Sequence, residues 1–188
     1  MSRNAHITRR TKETDIDLVM ELDGTGQADV DTGVGFLNHM LELLARHGGF
    51  DLSVKATGDL DVDAHHTVED VGICMGKALA EALGDKAGIN RFGSADVPMD
   101  EALARVAVDL SGRAYYLSEG KLDPEDTADD FLQALAANAL CNLHVEVPHG
   151  RNSHHIQEAV FKAVALALKR AVALGGTPGD VPSTKGVL

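Results

Sequence analysis

The chain opens with two segments, over 5–12 and 15–22, in which apolar and polar residues alternate. In the second, Ile16, Leu18 and Met20 alternate with acidic neighbours, the pattern of a strand with one buried face. The spacing then changes to that of a helix over 36–46, followed by a strand over 50–57. A long amphipathic helix begins at a His-His pair and ends at Gly84. This order predicts a β-β-α-β-α unit over residues 1–90.

The same order of elements recurs in the second half. We predict a strand over 102–110 with 115–118 as its partner, a helix over 128–141, a strand over 143–147 and a closing helix with a wide apolar stripe. The predicted fold is therefore α+β, with two tandem β-β-α-β-α repeats over 1–90 and 91–175. Each repeat is a small mixed sheet with helices packed on one face. Residues 176–188 form a tail.

Composition and charge exclude several classes of partner. The chain has 188 residues of which 44% are hydrophobic, enough for a core, and 17 basic against 29 acidic residues give a net charge of -12. With no basic run, nucleic acid and membrane surfaces are poor partners. Cys74 and Cys141 lie among apolar residues, which predicts reduced, buried thiols and a cytoplasmic location. No segment has the apolar length of a signal peptide or a membrane helix.

A His-His-x-x-Glu motif occurs twice, each time at the start of a predicted helix. The two copies are His65, His66, Glu69 and His154, His155, Glu158. Residues four apart share a helix face, so the first His and the Glu of each copy can converge on one ion. Adjacent imidazoles point about 100° apart, which favours two ions over one. A single His-His pair is often a helix cap or a surface feature, but two copies with matching Glu favour a metal centre.

Several segments along the whole chain resemble the imidazoleglycerol-phosphate dehydratase family, the lyases of histidine biosynthesis. They are 10–14, 32–41, 63–70, 91–93, 98–102, 111–113, 154–163 and 182–186. The resemblance implies removal of water from D-erythro-imidazole glycerol phosphate to give imidazole acetol phosphate, by a monofunctional enzyme with two manganese(II) ions per active site. Where the family commonly has a charged residue after the second His-His pair, this chain has Ile156.

The resemblance also implies a set of metal ligands. They are His39, His65, His66, Glu69, His144, His154, His155 and Glu158. Six imidazoles and two carboxylates without a thiolate suit six-coordinate manganese or iron better than structural zinc. The division of these ligands between the two ions stays open at this point.

Further residues are implied to bind or transform the substrate. Arg91, Arg113, Ser183 and Lys185 match the family's phosphate site, and Glu13 is the candidate acid/base or substrate-orienting group. Glu69 and Glu158 are predicted to be catalytic as well as metal-binding. The tail 176–188 is expected to close on the active site. The family assembles 24 subunits from trimers, with active sites at subunit contacts, so a homo-oligomer is expected.

Two other functions fit the repeated motif. A metal storage or structural protein would bind ions there without needing an organic phosphate site. A dinuclear hydrolase would use the same ligands to activate water and would cleave an ester or amide. Loss of water from an imidazole-bearing substrate distinguishes the dehydratase from both.

Overall fold

The fold consists of two sheets with four helices packed on and between their inner faces. The computed structural model describes residues 3–123, 127–177 and 179–188. In the first half the elements are β1 (Asn4–Arg10), β2 (Thr14–Glu21), β3 (Ala28–Asp31), α1 (Gly35–Gly48), β4 (Asp51–Gly58) and α2 (His65–Leu83). In the second half they are β5 (Phe92–Met99), β6 (Ala102–Asp109), β7 (Tyr115–Gly120), α3 (Thr127–Ala139), β8 (Asn142–His149) and α4 (Ser153–Val172). Among the described residues, no helix has the length and apolar composition needed to cross a bilayer.

Both sheets have the same topology. The strand orders are β1-β2-β4-β3 and β5-β6-β8-β7, with three antiparallel strands and a last strand that runs parallel to its neighbour. The predicted α+β fold of two repeated halves with mixed sheets is thus confirmed. On β2 the predicted alternation also holds, since Ile16, Leu18 and Met20 are all buried.

Each half contains one strand that the sequence pattern did not predict. Both strands, β3 and β5, lie at sheet edges. β3 has four residues, of which only Val30 is partly buried, and β5 contains Pro98. Edge strands need no continuous apolar face and tolerate proline, so neither segment carries the usual strand pattern.

The predicted pairing of 102–110 with 115–118 was wrong. β6 pairs with β5 and β8, whereas β7 pairs only with β8, in parallel, among the described strands. The physical reason lies in burial: β8 buries Leu143, Val145 and Val147 and takes a central position, whereas no residue of β7 is fully buried. β8 therefore lies between β6 and β7 in the sheet, although β6 and β7 are adjacent in sequence.

The halves share one hydrophobic core because their helices cross closely. α2 packs on α3 and α1 packs on α4. At the first crossing, a Cβ added to Gly72 would lie 2.7 Å from the Phe131 carbonyl oxygen. α4 lies still closer to β5, where a Cβ on Gly93 would overlap the Ala167 carbonyl oxygen. Glycine thus permits two backbone contacts that hold the helices in place.

The two thiols are free and buried, as predicted. Burial raises the pKa of Cys74 to about 11 and that of Cys141 to about 12. A raised thiol pKa keeps the unreactive neutral form dominant until the pH approaches that value. We therefore expect a disulfide-exchange reagent at pH 8 to label neither thiol in the native protein and both in denaturant. Rapid labelling of the native protein, measured by absorbance, would contradict this packing.

Candidate metal centre

Side chains from α1 and α4 converge at the N-terminal end of α4. One ligand atom each from His39, His154 and Glu158 lies within 4.8 Å of the other two. Glu158 Oε1 is 2.9 Å from His154 Nε2 and 3.2 Å from His39 Nε2. The two imidazoles stack with ring centroids 5.9 Å apart. Two imidazole nitrogens and one carboxylate oxygen thus face a common point.

The carboxylate of Glu158 is held in its ionised form. Lys162, one helical turn further along α4, donates a hydrogen bond of 2.5 Å to Oε2. This ammonium group is the main reason that the pKa of Glu158 falls to about 2, with His39 and His154 contributing and burial opposing. Glu158 is only 8% exposed. A buried, permanently negative oxygen between two imidazoles is suited to bind a cation.

Hydrogen bonds at the start of each helix hold the turn that carries the motif. Asn152, the N-cap of α4, accepts a hydrogen bond at Oδ1 from the His154 backbone N–H at 2.9 Å. Before α2, Asp63 Oδ1 accepts one from the His65 backbone N–H at 2.8 Å. Because the first histidine of each motif lies in the first turn of its helix, the residue four positions later lies on the same face. The predicted approach of His154 to Glu158 follows from this geometry.

The first motif meets a residue of α3 that sequence analysis missed. His65 Nδ1 donates to Asp130 Oδ2 at 2.9 Å, while its Nε2 lies 4.0 Å from Glu69 Oε2. The α2–α3 contact and the α1–α4 contact each join the two halves, so Asp130 on α3 stands opposite the first motif as His39 on α1 stands opposite the second.

The two histidines of each motif contact different carboxylates. The ring planes of His65 and His66 differ by 71°, and those of His154 and His155 by 77°. His66 Nδ1 lies 3.0 Å from Asp59, which raises the pKa of this histidine. His155 Nδ1 lies 2.8 Å from Glu101, with the same effect on its pKa. Neither carboxylate was among the predicted site residues.

His144 lies elsewhere. Its neighbours on β8, Leu143 and Val145, are buried against the helices, so His144 is on the outer face of the sheet. There it stands beside Tyr115, with ring centroids 5.8 Å apart, and lines a surface cavity of about 410 Å³. Within one copy of the chain, the structure does not bring His144 to the other predicted ligands.

Two of the predicted phosphate-binding residues, Arg91 and Ser183, lie where the tail folds back. Arg91 donates two hydrogen bonds to Asp109, of 2.6 and 3.1 Å, and a third of 2.8 Å to the Pro182 carbonyl oxygen. In the tail, Ser183 Oγ accepts a hydrogen bond from the backbone N–H of Lys185. The tail therefore lies against Arg91.

Arg113 belongs to the same end of the molecule. It follows Gly112, which lies against Leu188 of the tail: an added Cβ would be 2.7 Å from the Leu188 carbonyl carbon. Arg91 donates its backbone N–H to Ala171, in the last turn of α4. His154 is in the first turn, so the two ends are separated by about 25 Å at 1.5 Å per residue. Within one copy, the phosphate residues are remote from His39, His154 and Glu158.

Glu13 lies in the turn between β1 and β2. It is exposed and lines a surface cavity of about 320 Å³ that also includes Asp59, the partner of His66. Glu13 thus lies beside the first His-His motif.

Comparison with known proteins identifies the family. A family model for imidazoleglycerol-phosphate dehydratase matches residues 32–168. The imidazoleglycerol-phosphate dehydratase of Desulforudis audaxviator is 56% identical, with 99% of this chain and 98% of the relative aligned. That of a Geobacillus species is 54% identical over 100% of both chains.

Solved structures agree in fold. The crystal structure of imidazoleglycerol-phosphate dehydratase from Staphylococcus aureus has a TM-score of 0.81 at 36% identity, covering 91% of this chain and 99% of that one. The enzyme from Pyrococcus furiosus has a TM-score of 0.82 at 36% identity, covering 97% and 100%. The resemblance seen in the sequence is confirmed: the chain belongs to the imidazoleglycerol-phosphate dehydratase family, the hydro-lyases of histidine biosynthesis.

Proposed function

We propose that this dehydratase removes water from D-erythro-imidazole glycerol phosphate at a centre of two manganese(II) ions, giving imidazole acetol phosphate. The observation that carries the metal assignment is the convergence of His39, His154 and Glu158 within 4.8 Å. The donor set fits manganese because it offers nitrogen and oxygen atoms and a negative charge. Both cysteines are buried in the core, away from these donors. Free, buried thiols also support a reducing, cytoplasmic location.

The two motifs and His39 of α1 supply most of the proposed ligands. His39, His154 and Glu158 would hold one ion, and His65 with Glu69 would begin the site for the other. His66 and His155 contact other carboxylates, Asp59 and Glu101, so we assign them to ions shared with neighbouring copies. The assignment of His144 as a metal ligand stays a prediction, because another copy of the chain would have to bring this residue near the other ligands. Bound manganese would act as a Lewis acid toward the substrate's imidazole ring.

The remaining residues would bind the substrate and move its protons. Arg113, Ser183 and Lys185 can surround the phosphate with a guanidinium, a hydroxyl and an ammonium group. Arg91 is already oriented by Asp109 and holds the tail through Pro182. The tail could thus close over the phosphate. Glu13 is the proposed group that takes up a proton from the glycerol chain, or orients that chain, and its exposed carboxylate is free to do so.

The separation of the two ends supports an oligomer. The predicted phosphate residues lie about 25 Å from the histidine cluster along α4, farther apart than the two ends of so small a substrate. One copy therefore cannot bind both the imidazole and the phosphate of a single molecule with these residues. We propose a homo-oligomer in which each active site combines the metal end of one copy with the phosphate end of another. The 24-subunit assembly of trimers implied by the sequence resemblance would provide such contacts.

Metal removal and replacement test the proposed function. Protein stripped with a chelator and refilled with manganese, magnesium or zinc would be assayed for the keto product. We expect no turnover without metal and the greatest recovery with manganese, because the residues alone offer no strong Lewis acid. A folded, refilled protein that binds metal but forms no product would favour a storage role. Consumption of water with cleavage of an ester or amide would favour a hydrolase.

A further inference from the structure

The second histidine of each motif has a carboxylate at the same ring nitrogen. Asp59 lies 3.0 Å from His66 Nδ1, and Glu101 lies 2.8 Å from His155 Nδ1. We call Asp59 and Glu101 the orienting pair. All four side chains are partly buried, from 24% to 35% exposed. The same contact therefore occurs in both halves.

The two contacts do not descend from a single position of the repeat. Asp59 follows β4, whereas Glu101 lies in the turn between β5 and β6. The residue of the first half that corresponds to Glu101 is Glu13, since each directly precedes the second strand of its sheet. Two different loops thus supply a carboxylate to equivalent histidines. If these contacts were only a remnant of the duplication, the same loop would supply the carboxylate in both halves.

The hydrogen bond to the carboxylate determines which imidazole nitrogen has a lone pair that can bind a metal ion. An ionised carboxylate can only accept a hydrogen bond, so Nδ1 must carry the hydrogen. In the neutral imidazole the lone pair is then on Nε2. Nε2 of His155 lies 3.7 Å from the exposed Asp100 carboxylate, beyond hydrogen-bond distance. His39 and His154 also turn Nε2 toward their cluster.

We infer that Asp59 and Glu101 are positioning residues that hold His66 and His155 as Nε2 metal ligands. This inference rests on the proposed metal centre. Glu101 has a second task, because its Oε1 accepts the backbone N–H groups of Arg151 and Asn152 at 3.1 and 2.8 Å. It therefore orients the ring and fixes the loop that leads into α4. Asp59 uses both of its oxygens on His66.

Amide variants test the inference. Glu101→Gln and Asp59→Asn keep the size of each side chain but can place an N–H donor against Nδ1. The imidazole would then carry its hydrogen on Nε2, where it blocks coordination. We expect manganese affinity to fall about 10- to 100-fold in each variant, the usual effect of losing such a partner. Free manganese would be measured by its electron paramagnetic resonance signal during titration.

Controls separate this effect from loss of charge and from unfolding. Glu81→Gln makes the same charge change at an exposed site on α2, where the Glu81 side chain has no hydrogen bond or ion pair within 3–123, 127–177 and 179–188. This variant should bind as wild type. Thermal unfolding in chelator reports the metal-free fold. If Glu101→Gln does not fold, Asp59→Asn still decides the question, because the described hydrogen bonds of the Asp59 carboxylate go to His66 and not to backbone groups.

The possible outcomes are distinct. If wild-type protein binds manganese and both folded amide variants bind it equally well, the positioning role is wrong and the metal centre stands. If wild-type protein binds no manganese, the centre itself is overturned, and this inference with it. Weaker binding in the amide variants, with wild-type binding in Glu81→Gln, would support the inference.

Discussion

Replacement of Glu158 by glutamine is expected to lower turnover by more than about 100-fold, together with loss of manganese. Loss of a residue that only orients a metal ligand commonly lowers metal affinity or activity 10- to 100-fold. Loss of a residue in direct contact with the ion should have a larger effect. In this chain Glu158 supplies the one carboxylate oxygen that faces both His39 and His154. An amide cannot replace its negative charge. Lys162, now without its carboxylate partner, would add positive charge beside the site and oppose cation binding.

The measurement pairs a turnover assay with the metal content of the same purified sample. Glu42→Gln is a matched control, since Glu42 is exposed on α1 and its side chain has no hydrogen bond or ion pair among the residues that the structure covers. It should keep both activity and metal. A Glu158→Gln protein that is free of metal at this site and fully active would rule out the proposed role of the cluster.

Replacement of Gly93 by alanine is expected to destabilise the metal-free protein by about 3 kcal/mol, the upper end of the usual cost of overpacking. A Cβ at this position would overlap the Ala167 carbonyl oxygen of α4. The overlapping atom belongs to helix backbone, so no flexible side chain can move aside. α4 would have to shift away from β5, and its packing on the sheet would loosen.

Urea unfolding in the presence of chelator measures this effect. Gly35→Ala is the control, because nothing lies within 4 Å of its added Cβ and its backbone is not left-handed. At the first residue of α1, alanine should be neutral or slightly stabilising. An unfolding midpoint for Gly93→Ala equal to that of wild type would show that α4 can move at little cost.

The sequence patterns correctly predicted features that depend only on residues close together in the chain. Alternation identified β2, and the four-residue spacing with its helix cap placed His154 against Glu158. The outer position of His144 could also have been inferred, since the apolar residues on either side of it already assign its side chain to the other face of β8.

The contacts that were missed depend on packing between elements. Asp130 reaches His65 only because α3 crosses α2, and Glu101 reaches His155 only because the β5–β6 turn lies beside the start of α4. No sequence spacing specifies such distances. The edge strands were missed for a related reason: their pairing depends on a central neighbour and not on an apolar face of their own.

The length of α4 has a genetic consequence. On the proposed assignment, this helix carries a metal-binding end and a phosphate-binding end that serve different active sites. Two inactive copies damaged at opposite ends could then complement each other in a mixed assembly, because an intact metal end can face an intact phosphate end. Two copies damaged at the same end could not. Complementation between alleles would thus follow the position of each lesion along a single helix.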